Sequence, residues 1–217
     1  MSLDRQLVVQ QAFEVLNECG LEGLTLRRLA ARLRVQAPAL YWHFKSKQDL
    51  LDEMGTQVLR DSMRRSASIT AIASWQDWAA ANYQLLRQTL LQYRDGAKMF
   101  SGTYLTDTEL FGPMEESLRR LSAAGFTLRQ AVVGLGALYS YTVGFVIEEQ
   151  ASQLGPGKPN PQYDLAARDK RVDKGLYPLA AAAGAEIFEQ HDLRFSEGLA
   201  LVIAGMEAQL FSAPASN

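Results

Sequence analysis

The sequence has few of the residues from which metal centres and covalent catalytic sites are built. It contains one cysteine, Cys19, and two histidines, His43 and His191. A single cysteine excludes an intramolecular disulfide and fits a reducing compartment, and two distant histidines cannot complete a tetrahedral zinc site. The sequence also lacks a Gly-x-Ser-x-Gly elbow and a glycine-rich phosphate loop. An enzyme is therefore the disfavoured class, and we expect no metal and no cofactor.

An excess of positive charge is missing too, since 22 Lys and Arg oppose 24 Asp and Glu for a net charge of −2. The charge is nevertheless unevenly distributed. Residues 1–47 carry seven basic and four acidic side chains, a surplus of +3, which leaves −5 for the rest of the chain. A basic N-terminal part on an acidic body indicates that a nucleic-acid partner would meet the N-terminal part.

No secretory signal is expected, because Asp4 and Arg5 precede any apolar core. The longest uncharged run lies between Arg129 and Glu148 and approaches the length of a membrane span. It includes Gln130, several hydroxyl side chains and three glycines, so we interpret it as a buried helix. These features predict a cytoplasmic protein without a membrane partner.

Helical signals run through almost the whole chain, and no sustained period-two alternation indicates a sheet. The pattern predicts an all-α protein with an N-terminal three-helix helix-turn-helix domain over residues 1–47 and a larger helical domain over 48–217. Hydroxyl residues followed three positions later by a carboxylate or amide predict helix starts at Ser46, Ser74, Thr106 and Thr127. A loop is expected at about 154–163, irregular over the Gly-Pro-rich stretch 155–161, with a loose helix over 163–174. The other predicted helices cover residues 4–18, 26–33, 38–43, 46–64, 74–93, 95–101, 107–124, 127–153 and 194–212, and the alanine run 180–183 is also helical.

Residues 25–43 carry the most informative pattern. Thr25 is suited to cap a short helix that turns Leu26, Leu29, Ala30 and Leu33 towards a core, and Val35 and Leu40 can anchor the turn and helix that follow. The remaining side chains point outward, and exposed aromatic residues on so short a helix favour contact with a partner. Such a helix fits the major groove of DNA, where side chains meet base edges and phosphates. The predicted DNA-binding residues are Arg27, Arg28, Gln36, Ala37, Pro38, Ala39, Tyr41, Trp42, His43 and Lys47.

The run Leu40-Tyr-Trp-His-Phe-Lys-Ser-Lys47, followed by Leu50-Leu51, resembles the signature of TetR-family regulators. The opening Leu3-Asp4-Arg5, the stretch from Ala12 to Gly20 and the run Gly23-Leu24-Thr25 resemble the same domain, so the resemblance covers about residues 3–58. Arg34 departs from it, because the family usually has a turn glycine there. The resemblance implies a DNA-binding transcriptional regulator, and the sequence leaves open whether it is a repressor or an activator.

The body resembles the ligand domain of tetracycline repressors in its stretches 91–98, 102–103, 125–129 and 144–150. This resemblance implies a ligand pocket in which Asn82 and Thr103 match drug-contacting positions and Glu148 matches an acid that helps to hold the drug's magnesium. Phe100, Tyr104 and Ser117 depart from that set, since they replace a metal-binding histidine, an arginine and a glutamine. These departures predict a small, mainly apolar or aromatic effector bound without metal, although ordinary core packing is an open alternative for each lining residue. The predicted ligand-binding residues are Trp78, Asn82, Leu86, Phe100, Thr103, Tyr104, Met114, Ser117, Leu118, Leu135, Tyr139 and Glu148.

The resemblance also makes the larger domain a ligand-binding and dimerisation domain, and two surfaces are candidates for a homodimer interface. Gly136, Ser140 and Gly144 lie on one helix face and permit close approach of another helix. The final helix offers an apolar stripe that could instead close the monomer's own core. The stripe comprises Leu199, Val202, Ile203, Met206 and Leu210. The expected partners are double-stranded operator DNA, a small-molecule effector and a second copy, and a regulator that answers to a protein partner or has no effector is the alternative.

Overall fold

The computed structural model describes residues 4–66, 69–155 and 158–212. Helices dominate these residues, in agreement with the all-α prediction. The predicted domains and loop include residues 1–3, 67–68, 156–157 and 213–217, which lie outside the described residues. In chain order the helices are α1 (Arg5–Gly23), α2 (Leu26–Leu33), α3 (Ala37–Tyr41), α4 (Lys47–Arg65), α5 (Trp75–Leu90), α6 (Gly96–Phe100), α7 (Phe111–Ala123), α8 (Leu128–Ala151), α9 (Leu165–Asp169), α10 (Pro178–Phe188) and α11 (His191–Ser212).

Four helices begin at the capping residues that the sequence predicts. The hydroxyl oxygens of Thr25, Ser46 and Ser74 each accept a hydrogen bond from the backbone N–H three residues later. At Thr127 the reciprocal bond is also present, because the Gln130 side chain accepts from the Thr127 N–H at 2.9 Å. Each cap satisfies a backbone donor that the helix cannot satisfy itself, a stabilisation of about 0.5–2 kcal/mol.

The predicted helix start at Thr106 is wrong. Asp107 instead caps a single 3-10 turn, Thr108–Leu110, and α7 follows at Phe111. The Thr106 hydroxyl donates to the Glu53 carboxylate of α4 at 3.0 Å, so a tertiary partner takes the side chain that would have formed the cap.

Helix α1 continues past its predicted end at Glu18 and carries a kink at Gly20, where φ is 73°. Glycine suits this position for two reasons: its backbone is left-handed, and a Cβ would lie 2.7 Å from the Asp95 Oδ2. The Asp95 carboxylate accepts a hydrogen bond from the Leu21 N–H at 2.9 Å. The kink thereby connects the N-terminal helices to the body.

The stretch predicted to be irregular contains a short antiparallel hairpin. Strand β1 (Gln153–Gly155) pairs with β2 (Lys158–Pro159), with Gln153 opposite Pro159. Asn160 holds the returning strand against the end of α8, because its backbone N–H donates to Ser152 (2.8 Å) and its side-chain amide donates to Ala151 (3.0 Å). These bonds fix Asn160 and the adjoining strand β2 against the end of α8. The loose helix expected over 163–174 is reduced to α9.

Helix α4 connects the two parts of the protein, since it packs against α1 on one side and against α5 and α6 on the other. The central helix of the body is α8, which packs on α5, α6, α7 and α11. By length and composition α8 is the one helix of the described residues that could cross a membrane. Its Glu149 is buried and forms two hydrogen bonds, 2.7 and 2.9 Å long, with the buried guanidinium of Arg87 on α5. This buried ion pair joins α8 to α5, but only 33% of the apolar stretch of α8 is buried within the chain, so the predicted buried helix is exposed along much of its length.

Candidate nucleic-acid interface and small-molecule cavity

Helices α2 and α3 form a helix-turn-helix at residues 25–43. The turn contains Arg34 in the left-handed region, with φ 56° and ψ 39°, and the Val35 N–H donates back to the Ala30 carbonyl at 3.0 Å. Leu29 and Leu40 are buried. The two helices are therefore seated on the core by the residues that the apolar spacing predicts.

The opposite side of this unit is open to solvent. Trp42 is 89% exposed and Tyr41 is 53% exposed, although both are large aromatic side chains. Exposing such rings is unfavourable unless a partner covers them. The other predicted contact residues on this side are the exposed Arg27, Arg28, Gln36 and Pro38 and the partly exposed Ala37, Ala39 and His43.

Some cationic side chains of this region are hydrogen-bonded to backbone carbonyls of the protein itself. The Lys47 ammonium donates to the Leu21 carbonyl at 2.7 Å, so the structure ties this predicted phosphate ligand to the end of α1. Arg28 donates to the Gly23 carbonyl at 3.0 Å. Arg34 and Lys45 are exposed and were not among the predicted contacts. The sequence marked Arg34 only as a departure from the family's turn glycine.

A cavity of about 500 Å³, called the first cavity below, lies among α4, α5, α6, α7, α8 and the segment that joins α6 to α7. Nine of the predicted ligand residues line it. They are Asn82, Leu86, Phe100, Thr103, Met114, Ser117, Leu118, Leu135 and Tyr139. The lining residues that the sequence analysis missed are Leu59, Met63, Tyr83, Leu105, Leu110, Pro113, Val132 and Gly136. Leu59 and Met63 could have been found, since they lie one helical turn apart on α4.

Three predicted ligand residues do not line the first cavity. Tyr104 is 77% exposed, because its backbone N–H is bound to Asp52 of α4 at 3.0 Å and its ring faces outward. Trp78 is buried under the Arg120 guanidinium, 5.3 Å from its ring centre, and lines an adjoining cavity that shares Asn82 and Leu86. Glu148 lies in a separate cavity near the end of α8. The structure therefore places these three residues outside the first cavity, while their role in ligand binding stays a prediction.

The polar groups of the first cavity are few. The Tyr83 hydroxyl donates to the Leu135 carbonyl at 3.1 Å, and the Thr103 hydroxyl donates to the Phe100 carbonyl at 2.8 Å. Burial raises the pKa of Tyr83 and of Tyr139, so both phenols are neutral at pH 7. The Tyr139 ring lies 6.0 Å from the Phe100 ring. The described lining residues include no carboxylate, histidine or cysteine. This is an aromatic and aliphatic cavity with amide and hydroxyl groups for orientation.

The segment 103–107 joins the wall of the first cavity to α4. Its Thr103 packs so closely on α4 that a Cβ at Gly55 would lie 2.5 Å from the Thr103 hydroxyl oxygen. The Thr106 N–H donates to the Thr56 hydroxyl at 2.9 Å. At the end of the segment, the Asp107 carboxylate accepts from Arg60 at 2.7 Å. One side of the segment therefore faces the cavity while the other is bonded along α4.

An ionic chain continues from this segment to the helix-turn-helix. Arg60 donates to Glu53 at 2.9 Å, and Glu53 accepts from Arg5 of α1 at 3.1 and 3.2 Å. Arg5 also donates to the His43 carbonyl at 2.7 Å and lies 4.4 Å from the Phe44 ring centre. Partial burial would raise the pKa of Glu53, but hydrogen bonds from Arg60, Thr106 and Arg5 outweigh it and hold the pKa below its ordinary value. The ionised Glu53 carboxylate therefore connects the segment beside the first cavity to the helix-turn-helix.

The faces of α8 and α11 differ from the predicted interface in one respect. Gly136, Ser140 and Gly144 are exposed along α8, as the small-residue spacing predicts. Leu199, Ile203 and Met206 are instead buried inside the monomer, with Val202 and Leu210 packed partly buried beside them. The alternative left open for this stripe, that it closes the monomer's own core, is therefore correct. The exposed side of α11 comprises Leu201, which is 76% exposed, with Ala200, Ala204, Gly205 and Ala208.

Known proteins share both parts of this architecture. Residues 8–54 match the family of bacterial regulatory proteins of the tetR family, and residues 71–210 match the tetracyclin repressor-like C-terminal domain. The chain is 36% identical to the class D tetracycline repressor of Escherichia coli over 211 residues, which cover 96% of this chain and 91% of that protein.

Solved structures give the same result. A possible TetR family transcriptional regulator from Streptomyces coelicolor A3(2) is 35% identical with a TM-score of 0.80, over 94% of this chain and 99% of that one. A TetR variant from Acinetobacter baumannii AYE in complex with minocycline is 33% identical with a TM-score of 0.69, over 96% of this chain and 98% of that one. These relatives are DNA-binding regulators rather than enzymes. The chain therefore belongs to the TetR family of helix-turn-helix transcriptional regulators.

Proposed function

We propose that the protein is a cytoplasmic homodimeric repressor that binds a palindromic operator and is released from it by a small, mainly apolar or aromatic effector. The observation that carries this proposal is the two-sided segment 103–107, which contributes Thr103 and Leu105 to the first cavity and is bonded to α4. A molecule that displaces Thr103 or Leu105 would shift α4, and the ionic chain through Glu53 would carry the shift to the helix-turn-helix.

Operator binding is assigned to the exposed side of α2 and α3. Gln36 and Arg27 supply polar readout of base edges, while Ala37 and Ala39 contribute methyl groups that can contact thymine. Tyr41, Trp42 and His43 lie beside them and are suited to the DNA backbone, together with the exposed cations Arg34 and Lys45.

The effector is proposed to bind without metal. The relatives include tetracycline repressors, and Mg²⁺ requires several hard oxygen ligands in near-octahedral geometry. The chemistry of the donor set does not fit that ion, because the described lining of the first cavity offers a phenyl ring at Phe100 and no carboxylate or imidazole. Asn82 and the hydroxyl of Tyr139 make no hydrogen bond within the described residues, so they are the groups proposed to orient an aromatic ligand.

Dimerisation is assigned to the exposed faces of α8 and α11. Gly136, Ser140 and Gly144 are exposed on α8, and Leu201 and Ala204 are exposed on α11, which packs against α8. Two small-residue helices from each chain can pack as a four-helix interface. The two helix-turn-helix units of a DNA-bound dimer would be about 34–36 Å apart.

Selection of bound duplexes from a random pool, followed by a screen for compounds that release the selected DNA, tests the whole proposal. A palindromic site and release by an apolar aromatic compound are expected. Ser117→Trp, which fills the first cavity, should keep DNA binding and abolish release, whereas Glu115→Gln on the exposed side of α7 should change neither. An unrepeated half-site, release only by a protein or tight magnesium-dependent tetracycline binding would contradict the proposal.

A further inference from the structure

The first cavity continues into the cavity that Trp78 lines, called the adjoining cavity below, which has a volume of about 410 Å³. The residues that line both cavities are Leu59, Met63, Asn82, Leu86, Pro113 and Ser117. From this shared wall the adjoining cavity extends along the end of α4, the turn at residues 69–70, α5 and the first turns of α7. Each cavity has a volume within the range of small-molecule sites, so together they can hold a molecule of two parts.

The polar groups of the adjoining cavity include serine hydroxyls and the Asn82 amide. Ser66 and Ser117 donate their hydroxyl protons to backbone carbonyls of the preceding turn, each at 2.8 Å, and can still accept a hydrogen bond. The Ser62 hydroxyl and the Asn82 amide make no hydrogen bond within the described residues, so they can both donate and accept. A ligand hydroxyl is likewise donor and acceptor at once, which this set of groups matches.

The charge at the adjoining cavity is already compensated. Glu116 is the one charged side chain among the described residues that line it. Its carboxylate accepts from the Arg119 Nε at 3.1 Å and lies 3.9 Å from the Arg120 guanidinium. A ligand ammonium would compete with these two cations, and a ligand anion would meet the carboxylate. The lining therefore favours a neutral polar group.

Trp78 gives the adjoining cavity a fixed aromatic wall. Its ring is buried, and the Arg120 guanidinium lies 5.3 Å from the ring centre although Arg120 does not line the cavity. Arg120 is itself held by the carbonyls of Ile72 and Thr70. A pyranose ring combines C–H faces, which pack on aromatic rings, with a rim of neutral hydroxyl groups. The aromatic wall and the uncharged polar groups therefore match a sugar.

We propose that the two cavities together bind an aromatic glycoside, with the aromatic part in the first cavity and the sugar in the adjoining cavity. The sugar would pack on Trp78 and bond to Ser62 and Ser66. Asn82 borders both cavities and would bond near the glycosidic link. This inference rests on the proposed function and narrows its effector to a chemical class.

Calorimetric titration of the full chain with three coumarin compounds tests the proposal: 4-methylumbelliferyl β-D-glucoside, 4-methylumbelliferone and 4-methylumbelliferyl phosphate. The glucoside should bind about tenfold more tightly than the aglycone, which corresponds to one or two added neutral hydrogen bonds. The phosphate should gain nothing over the aglycone, because the described lining offers it no free cation.

Two variants at Ser62, which lines the adjoining cavity and not the first, locate the sugar. Ser62→Phe, which fills the adjoining cavity, should remove the advantage of the glucoside and leave aglycone binding unchanged, so retained aglycone binding also reports an intact fold. Ser62→Ala, which removes one hydroxyl without adding volume, should weaken the glucoside severalfold and leave the aglycone unchanged. Ser122→Phe on the exposed side of α7 is the matched control and should change neither.

Four results would each overturn the proposal: no binding of the glucoside, equal affinity for glucoside and aglycone, tighter binding of the phosphate than of the glucoside, or an unchanged preference in both Ser62 variants. Binding of the aglycone alone would remove the glycoside assignment and leave the proposed aromatic effector standing. The test needs no DNA, so its failure is distinct from failure of the proposed repressor function.

Discussion

Replacing Arg34 by glycine should make the protein more stable and make it bind DNA less tightly. Arg34 has φ 56°, and this left-handed backbone costs a side-chain-bearing residue about 1–2 kcal/mol. Glycine avoids that cost but loses about 0.5–1 kcal/mol through the greater freedom of its unfolded chain. The expected net gain is about 0.5–1 kcal/mol, which raises the Tm by about 1–4 °C in a domain of this size.

The loss in DNA binding follows from the charge. Each phosphate contact adds about 0.9 to the slope of log affinity against log salt, so a dimer that loses two contacts loses about 1.8. Between 200 and 50 mM salt, the affinity ratio of wild type to variant should therefore widen by about tenfold. Fluorescence anisotropy with a random-sequence duplex measures this slope without knowledge of the operator.

Arg34→Lys is the matched control, because it keeps both the cation and the backbone conformation and should change neither stability nor slope. An unchanged salt slope in Arg34→Gly would remove Arg34 from the DNA interface. A lower Tm would show that the left-handed conformation at this turn is not strained. The opposite signs of the two effects exclude general misfolding as their common cause.

Three other perturbations address the body. Glu149→Gln removes the buried carboxylate partner of the Arg87 guanidinium and should lower the free energy of unfolding in urea by about 3–5 kcal/mol. Asp192→Asn removes a partner that is 91% exposed and should cost less than about 1 kcal/mol. Equal losses in the two variants would contradict the structure. Glu53→Gln should lower the Tm at pH 7. Because the pKa of Glu53 in the folded protein lies below its ordinary value of 4.5, the difference in Tm between wild type and variant should shrink as the pH falls below that value. A difference that stays constant with pH would show that ionised Glu53 does not stabilise the fold. Ala204→Glu on the exposed face of α11 should give monomers in sedimentation, while Ala123→Glu on α7 should not, and a dimeric Ala204→Glu protein would place the interface elsewhere.

Local features of the sequence predicted the fold well. The caps at Thr25, Ser46, Ser74 and Thr127 are correct because a hydroxyl and a backbone N–H three residues apart need no other part of the chain. The errors arose where a distant partner decides the outcome. Thr106 is taken by Glu53 on α4.

The candidate sites likewise contain residues that the sequence could predict and residues whose position depends on a distant partner. Nine of the predicted ligand residues line the first cavity, some of them, such as Asn82 and Thr103, predicted from the family resemblance and others from apolar side chains one helical turn apart on a shared face. Neither source could place Tyr104, whose backbone bond to Asp52 turns the ring outward. Nor could the sequence decide whether the stripe that contains Leu199 closes the monomer's own core or faces a second copy, since either partner would cover the same apolar side chains and only the packing against α8 shows the outcome.

In the two-sided segment 103–107, most of the residues that hydrogen-bond to α4 differ from the residues that line the first cavity. The segment's hydrogen bonds to α4 use the backbone N–H groups of Tyr104 and Thr106 and the side chains of Thr106 and Asp107, and none of these three residues lines the first cavity, whereas Thr103 both lines it and packs on α4. Walls such as Met114 and Leu118 can therefore be exchanged to admit a differently shaped molecule while the bonds along α4 stay intact. In this architecture a new effector specificity can arise by substitutions in the cavity lining alone, while the bonds that connect the segment 103–107 to α4 stay the same.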